Sequence, residues 1–278
     1  MTDLYLSLSR QIQDRLGNFA PRFLIVLGSG LGALADDVED KIIIPYSEIQ
    51  GFPVSTVSGH RGCLIAGKIN GRNVICMQGR IHLYEGYQPS AIAEVIKAFK
   101  QLGISEMIVT NAAGSLMPSL PPGSLMLIND HINFSGRNPL IGPNDDSFGP
   151  RFPDMSNAYD RKFRNLAHRL AKDAGIKLHD GTYLMVSGPN FETAAEIRAF
   201  QILGAHAVGM STVPEVLAAV YCGIKVLGFS VITNYGTGLQ TTPLSHQETL
   251  DNAAAAARNL TSLVKSFNVV QFYLSDKG

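Results

Sequence analysis

Residues 23–36, FLIVLGSGLGALAD, join an apolar run to a glycine-rich turn. In α/β sheets such a run is a strand whose tip meets phosphate. Gly28, Gly30 and Ala33 fit the relaxed dinucleotide fingerprint, in which glycines allow a tight turn and close backbone approach. The same residues equally suit a free anion, or a turn with no ligand. The residues beyond the turn argue against a dinucleotide. Only about ten of them separate it from the next apolar run, IIIPY, against roughly 30 for a full βαβ unit. Asp36, Asp37, Glu39 and Asp40 crowd that stretch with negative charge, and Glu48 comes after Pro45 instead of closing a clean second strand. The Ser29 hydroxyl, at the turn, is left as a candidate anion ligand.

Outward from this turn, strand-like runs at 23–27, 106–110, 125–128, 182–186 and 225–232 alternate with helical patterns at 89–102, 159–174, 193–203, 214–222 and 245–267. Gly103, Gly175, Gly204 and Gly223 stand where left-handed C-terminal caps belong. Residues 64–77, LIAGKINGRNVICM, read as a hairpin turning on Asn70-Gly71, so the sheet is mixed. The fold class is α/β. With no Pro/Ser/Gly linker or charge block, residues 1–278 read as a single domain. Thr193/Glu196, Thr212/Glu215 and Ser245/Glu248 each spell a capping box at a helix start.

Composition narrows the class of partner. Lys plus Arg and Asp plus Glu each number 23, for no net charge, where a nucleic-acid or anionic-membrane binder carries a basic excess. A small-molecule partner is favoured. The 3 cysteines form no CxxC pair and no Cys/His metal spacing; Cys63 and Cys76 sit in apolar runs as inert thiols. The amphipathic N-terminus lacks the apolar core of a signal peptide, and no segment approaches a membrane span. A cytoplasmic, thiol-reduced protein is expected.

Several stretches carry candidate chemistry. Residues 62–69, GCLIAGKI, nearly spell a P-loop, but Ile69 replaces the metal-holding hydroxyl and the segment reads as a hairpin strand. In MQGRIHLYEGY (77–87), Arg80, His82 and Tyr84 alternate, so an extended segment points all three one way. They offer a planar fork for a tetrahedral anion, a tunable donor, and a phenol with a flat face. IVTNAAGSL (108–116) reads as a strand running into a small-residue turn whose N–H groups are exposed. GPNFETAAEIR supplies Phe191 as a stacking face and Glu192 as an acceptor for a purine's N1–H and 2-amino edge. VGMSTVPEV adds Met210 and Ser211, and VITNYG places Asn234, an amide that both donates and accepts, at the end of the most apolar run.

Taken in order, LGSGLG, GFPVSTVSGH, QGRIHLYEGY, VTNAAGSL, DHINF, GPNDDSFGPRFPDMSNAYD, GPNFETAAEIR, VGMSTVPEV, ITN and SHQE resemble the trimeric, 6-oxopurine-specific purine nucleoside phosphorylases. The resemblance implies a mixed central sheet flanked by helices with a smaller distorted β-barrel. It implies phosphorolysis of purine (2′-deoxy)ribonucleosides to free base and (deoxy)ribose 1-phosphate, without metal or organic cofactor. Ser29, Arg80, His82, the Ala112 N–H and Ser211 match phosphate ligands, with His60 near the phosphate. Tyr84, Met210 and His246 match ribose contacts, His246 at the 5′-hydroxyl. Phe191, Glu192 and Asn234 match the base pocket, and catalysis falls to Asn234, Glu192 and His82. Phe152 matches an aromatic that reaches a neighbouring subunit's ribose site, so a homotrimer is implied.

The related methylthioadenosine phosphorylases carry Asp where Asn234 stands, which favours hypoxanthine and guanine here. Bacterial xanthosine phosphorylases carry a tyrosine aligned with Val186, which weakens a xanthosine reading. Tyr235, beside Asn234, departs from better-known members of the family. The rival of a different class, a NAD-linked oxidoreductase, explains the Gly28 turn and leaves Arg80, His82, Glu192 and Asn234 idle.

Overall fold

The computed structural model describes residues 4–56, 61–240 and 256–267. In chain order the elements are α1 (Leu4–Leu16), β1 (Phe23–Leu27), β2 (Glu39–Pro45), β3 (Cys63–Ile69), β4 (Arg72–Gln78), α2 (Pro89–Gln101), β5 (Glu106–Ser115), β6 (Leu125–Asn133), α3 (Arg161–Asp173), β7 (Leu178–Met185), α4 (Ala194–Ile202), β8 (Ala207–Gly209), α5 (Val213–Tyr221) and β9 (Lys225–Tyr235). Residues 256–267 are also helical. None of these helices is long and apolar enough to cross a membrane.

The strands form one 9-stranded mixed sheet in the order β2-β3-β4-β1-β5-β8-β7-β6-β9. A further pairing of β5 with β9 closes β5, β8, β7, β6 and β9 into a distorted barrel, as the resemblance implies. β1 is buried along its whole length because it lies between β4 and β5, parallel to both. Its side chains alternate between two cores. Leu24 and Val26 face the core covered by α1, α2 and α5, while Phe23, Ile25 and Leu27 face the core covered by α3 and residues 256–267.

The hairpin turns where expected. Asn70 and Gly71 both take positive φ, at 51° and 78°, between Ile69 and its partner Arg72. The near-P-loop lies in β3 of this hairpin, so its glycines line no helix N-terminus. Gly103, Gly175, Gly204 and Gly223 take positive φ just past their helices.

Three expectations need correction. Residues 111–115 are no turn: β5 continues to Ser115 because β9 pairs with it throughout and β8 pairs with Gly114 and Ser115. Arg80, His82 and Tyr84 do not share an extended run, since β4 ends at Gln78 and Tyr84 sits in the short 3-10 turn Leu83–Glu85. Thr212 does not cap α5 through its side chain, and Glu215 is drawn away to Arg80. The Thr193/Glu196 box does form, with Glu196 N donating to Thr193 Oγ1 at 3.2 Å and Thr193 N to Glu196 Oε2 at 2.7 Å. The Ser245/Glu248 box lies outside the described residues.

The sheet divides at the middle of β5, and that division makes the site. Pairing of β5 with β1 stops at Val109 and pairing with β8 begins at Gly114. Between them, one edge of β5 is left open while β9 holds the other. At the opening the Thr110 side chain replaces the ladder: it donates to Val26 O and accepts from Gly28 N, each at 3.0 Å. Gly28 is required there, because a Cβ would come within 2.7 Å of Asn111 Cα and 2.8 Å of Thr110 O.

Candidate active site

A cavity of about 370 Å³ lies at this opening, within the size of small-molecule sites. Two chemically distinct groups line it: Ser29, Arg80, His82, Ala112 and Ser211, with Arg80 bonded to Ser211, and Phe191, Glu192 and Asn234; Tyr84 and Met210 also line it. Their elements are far apart in sequence: the tip of β1, the segment after β4, the middle of β5, the start of α4, the end of β8, and the end of β9. The open edge of β5 is where they converge.

In the first group Arg80 is 1 % exposed and tied on several sides. Its Nε donates to Glu215 Oε1 at 3.1 Å, and its Nη1 donates to Thr110 O (2.7 Å) and Ser211 Oγ (2.9 Å) and lies 3.0 Å from Thr212 Oγ1. A buried guanidinium held this way is a fixed positive charge at the cavity wall. Beside it, the His82 ring faces Glu85 through Nδ1 at 3.1 Å and stacks on Tyr84 with centroids 4.7 Å apart. Burial alone would raise the Glu85 carboxyl. Donors from Thr56 and His82 outweigh that and hold it below the usual carboxylate range. An ionised Glu85 keeps a proton on His82 Nδ1. Burial, then the neighbouring Glu85, pushes the Tyr84 phenol up to about 12, so it stays protonated and can donate.

The other group differs in exposure at Phe191 alone. Phe191 is 42 % exposed and lines the cavity. Glu192 is buried, and loss of water together with the nearby Glu196 raises its carboxyl above the ordinary value. Asn234 Nδ2 donates to Tyr235 O at 3.0 Å and its Oδ1 accepts from Thr233 Oγ1 at 2.8 Å. The amide nitrogen and the amide oxygen each have capacity for one more hydrogen bond. Gly114 makes room beside it, since a Cβ there would lie 3.1 Å from Asn234 Nδ2.

Two expected site residues, His60 and His246, lie outside the described residues. Phe152 stands 87 % exposed between β6 and α3 and is not among the described residues lining the cavity. Other contributors are not evident from the sequence. Glu85 sits three residues after His82 and pairs with it; Glu215 and Thr212 spell a cap in the sequence, yet they hold Arg80. Asn111, in the stretch with a turn-like composition, lines the cavity and donates to Thr212. The one sequence signal for Glu85 is a carboxylate close behind Arg80 and His82; Glu215 carries only the signal of a helix cap. Cys63, Cys76 and Cys222 are buried free thiols, with burial pushing Cys76 and Cys222 up to about 12, so none is poised to react.

Residues 22–268 match the family model described as the phosphorylase superfamily. The chain is 48 % identical over 247 residues to purine nucleoside phosphorylase 1 of Geobacillus stearothermophilus, covering 89 % of this chain and 90 % of that one. It is 48 % identical over 269 residues to the purine nucleoside phosphorylase of Mus musculus, covering 94 % and 92 %. Among solved structures, the Schistosoma mansoni purine nucleoside phosphorylase in complex with inosine superposes with a TM-score of 0.90 at 41 % identity, covering 96 % of this chain and 95 % of that one. The same enzyme's adenosine complex also gives 0.90 at 41 % identity, with 96 % of each chain covered.

Proposed function

Because this chain belongs to the phosphorylase superfamily, among its purine nucleoside phosphorylases, we propose that the cavity at the open edge of β5 is where it splits 6-oxopurine nucleosides with phosphate. The enzyme carries out purine nucleoside phosphorolysis; the assignment of each side chain is our reading. One observation carries it. A single cavity is lined by a fixed cation and hydroxyl donors together with an aromatic face, a carboxylate and an amide. Those are the groups that an anion and a purine with a sugar between them require.

Phosphate sits at the Ser29, Arg80, His82, Ala112 N–H and Ser211 end, with His60 joining it. Tyr84, Met210 and His246 hold the ribose, and Phe191, Glu192 and Asn234 hold the base. As the glycosidic bond lengthens, C1′ becomes cationic and the purine anionic. The phosphate oxyanion stabilises the cation and then attacks C1′, so positioning and electrostatics carry most of the rate. His82, with Nδ1–H held by Glu85, turns Nε2 to the phosphate: the imidazolium donates to a phosphate oxygen, and the neutral ring accepts from a phosphate O–H. Ionised Glu192 accepts N1–H. Asn234 donates its second N–H to O6, a bond that strengthens as charge builds on the leaving base, and once water has given N7 a proton the amide oxygen accepts from that N7–H, so the base is released neutral.

Phosphate is a co-substrate, and the chemistry calls for no metal or organic cofactor. The 6-oxo preference follows from Asn234, because an adenine 6-amino group would face the amide N–H donors instead of an acceptor. Phe152 gains a purpose in a homotrimer, where an exposed aromatic on one subunit closes the ribose site of the next.

The test is a panel of inosine, guanosine, xanthosine, adenosine and methylthioadenosine, with free base followed at fixed phosphate. Inosine and guanosine are expected to lead adenosine and methylthioadenosine by about two orders of magnitude in kcat/KM. Equal use of adenosine would overturn the role of Asn234. Sedimentation of the same sample is expected to give a trimer, and a monomer at assay concentration would remove Phe152 from the site.

A further inference from the structure

At the Arg80 end, the hydrogen bonds have a direction set by which groups carry protons. Asn111 Nδ2 donates to Thr212 Oγ1 at 2.8 Å; Arg80 Nη1 lies 3.0 Å from the same oxygen, but its two protons have closer acceptors in Thr110 O (2.7 Å) and Ser211 Oγ (2.9 Å). Neither nitrogen can accept. The Thr212 hydroxyl cannot give its proton to either nitrogen, so that proton has to go elsewhere. The acceptor in reach is Ser211 Oγ, 3.2 Å away. Ser211 Oγ also receives Arg80 Nη1, at 2.9 Å. Those two bonds fill the serine's acceptor capacity, so its proton points into the cavity that Ser211 lines.

The backbone at Thr212 is consistent with a hydroxyl kept in place against a conformational cost. Thr212 has φ 80° and ψ −48°, and Val213 N donates to Ser211 O at 2.9 Å across it. This is a three-residue turn of positive φ, rare for any residue and strained for a β-branched one. Glycine would take the same turn with little strain. Thr212 is wholly buried and is not among the described residues lining the cavity.

We infer that Thr212 is a positioning residue for the anion: it orders the protons so that Ser211 presents a donor and no lone pair. Asn111 is the upstream donor that sets this polarity. The inference rests on the reading that phosphate binds at this end. A serine ordered in advance favours a phosphate oxygen over a ligand atom bearing a proton, and needs no reorientation when the anion arrives.

The experiment measures phosphate KM, inosine KM, kcat and Tm for Thr212→Val, Thr212→Ser, Asn111→Leu and Ser211→Ala. Valine keeps the branched shape and the turn but removes the hydroxyl. Thr212→Val is expected to raise phosphate KM roughly tenfold while inosine KM stays near the parent value. Thr212→Ser should restore phosphate KM, and Thr212→Val added to Ser211→Ala should cost nothing further. Asn111→Leu reads the same chain from its other end and is expected to raise phosphate KM by a smaller factor, which keeps the test alive if the valine variant does not fold. An unchanged phosphate KM in Thr212→Val overturns the proposal. So does a parallel rise in both KM values that serine does not rescue. If Ser211→Ala itself leaves phosphate KM unchanged, the phosphate-site reading has failed; if only the Thr212 and Asn111 variants are silent, the relay alone has failed.

Discussion

The two ends of the cavity are built on different terms. At the Arg80 end the charged group is tied in advance by protein partners, Arg80 through Glu215, Thr110 and Ser211, with Thr212 held by Asn111, although Glu215 Oε2 and Asn111 Oδ1 stay buried without a hydrogen-bond partner among the described residues. At the base end Phe191 is substantially exposed, Glu192 is destabilised by its surroundings, and Asn234 keeps capacity for two further bonds. The difference separates two tasks. Inorganic phosphate is small and rigid, so its site is assembled in advance, and order there is gained during folding. A purine brings its own donors and acceptors, so its site waits for the ligand to complete it. Substitutions at the first end should therefore damage folding and phosphate use together, while those at the second should change specificity with little loss of stability.

The strongest break in that contrast is Arg80→Ala. It strands the buried Glu215 carboxylate, so Tm should fall by the equivalent of about 3–5 kcal/mol. Turnover at subsaturating phosphate should drop on the order of 1,000-fold. Thermal melts beside phosphate titrations read both, and a stable enzyme with normal phosphate KM would erase the distinction. Asn234→Asp comes next. A carboxylate accepts from a 6-amino group and repels O6, so kcat/KM for inosine should fall on the order of 100-fold while the adenosine-to-inosine ratio rises. Tm should move little. An unchanged ratio would detach Asn234 from the base.

Glu192 sharpens the contrast through pH. Its folded-state carboxyl is raised, so the folded protein holds its proton to higher pH than the unfolded chain does. Stability is lost as pH rises through that window, and the ionised form carries the full cost at neutral pH. Glu192→Gln should thus raise Tm at pH 7 by about 1–3 °C while weakening inosine binding. In the parent enzyme, inosine affinity should fall as pH drops, starting above the ordinary glutamate range, and the Glu192→Gln substitution should abolish that limb. A limb that persists in the variant assigns it to another group. The smallest effect is expected from Phe152→Ala. In a trimer, inosine KM should rise several-fold at constant phosphate KM, by about 1 kcal/mol of lost contact, and no change in either would leave the exposed ring without a role.

Much of this architecture is legible in the residues, and the failures have physical causes. β1 and the Asn70-Gly71 hairpin can be read directly, because a buried parallel strand and a positive-φ turn each constrain composition locally. β8 is three residues long, and β2 opens on charged residues, so neither carries a strand signal without its partners. Asn111 to Ser115 look like a turn because small residues suit turns. They suit equally a strand that must pass a cavity on one side and close a barrel on the other. The ligand-facing side chains are recognisable by their chemistry. Glu85, Glu215 and Thr212 are not, since a residue that holds another in place is defined by distance alone, and for Thr212 the decisive feature is a backbone angle.

The central claim is that the Arg80 end holds phosphate as the attacking reactant. Inosine is incubated with the purified enzyme and a metal chelator, with and without phosphate, and hypoxanthine and sugar products are quantified together. Hypoxanthine and ribose 1-phosphate should appear in equal amounts with phosphate, and neither without it, with the rate saturating in phosphate and collapsing in Arg80→Ala. Release of hypoxanthine with free ribose in the absence of phosphate, or phosphate saturation unaffected by Arg80→Ala, would contradict the account.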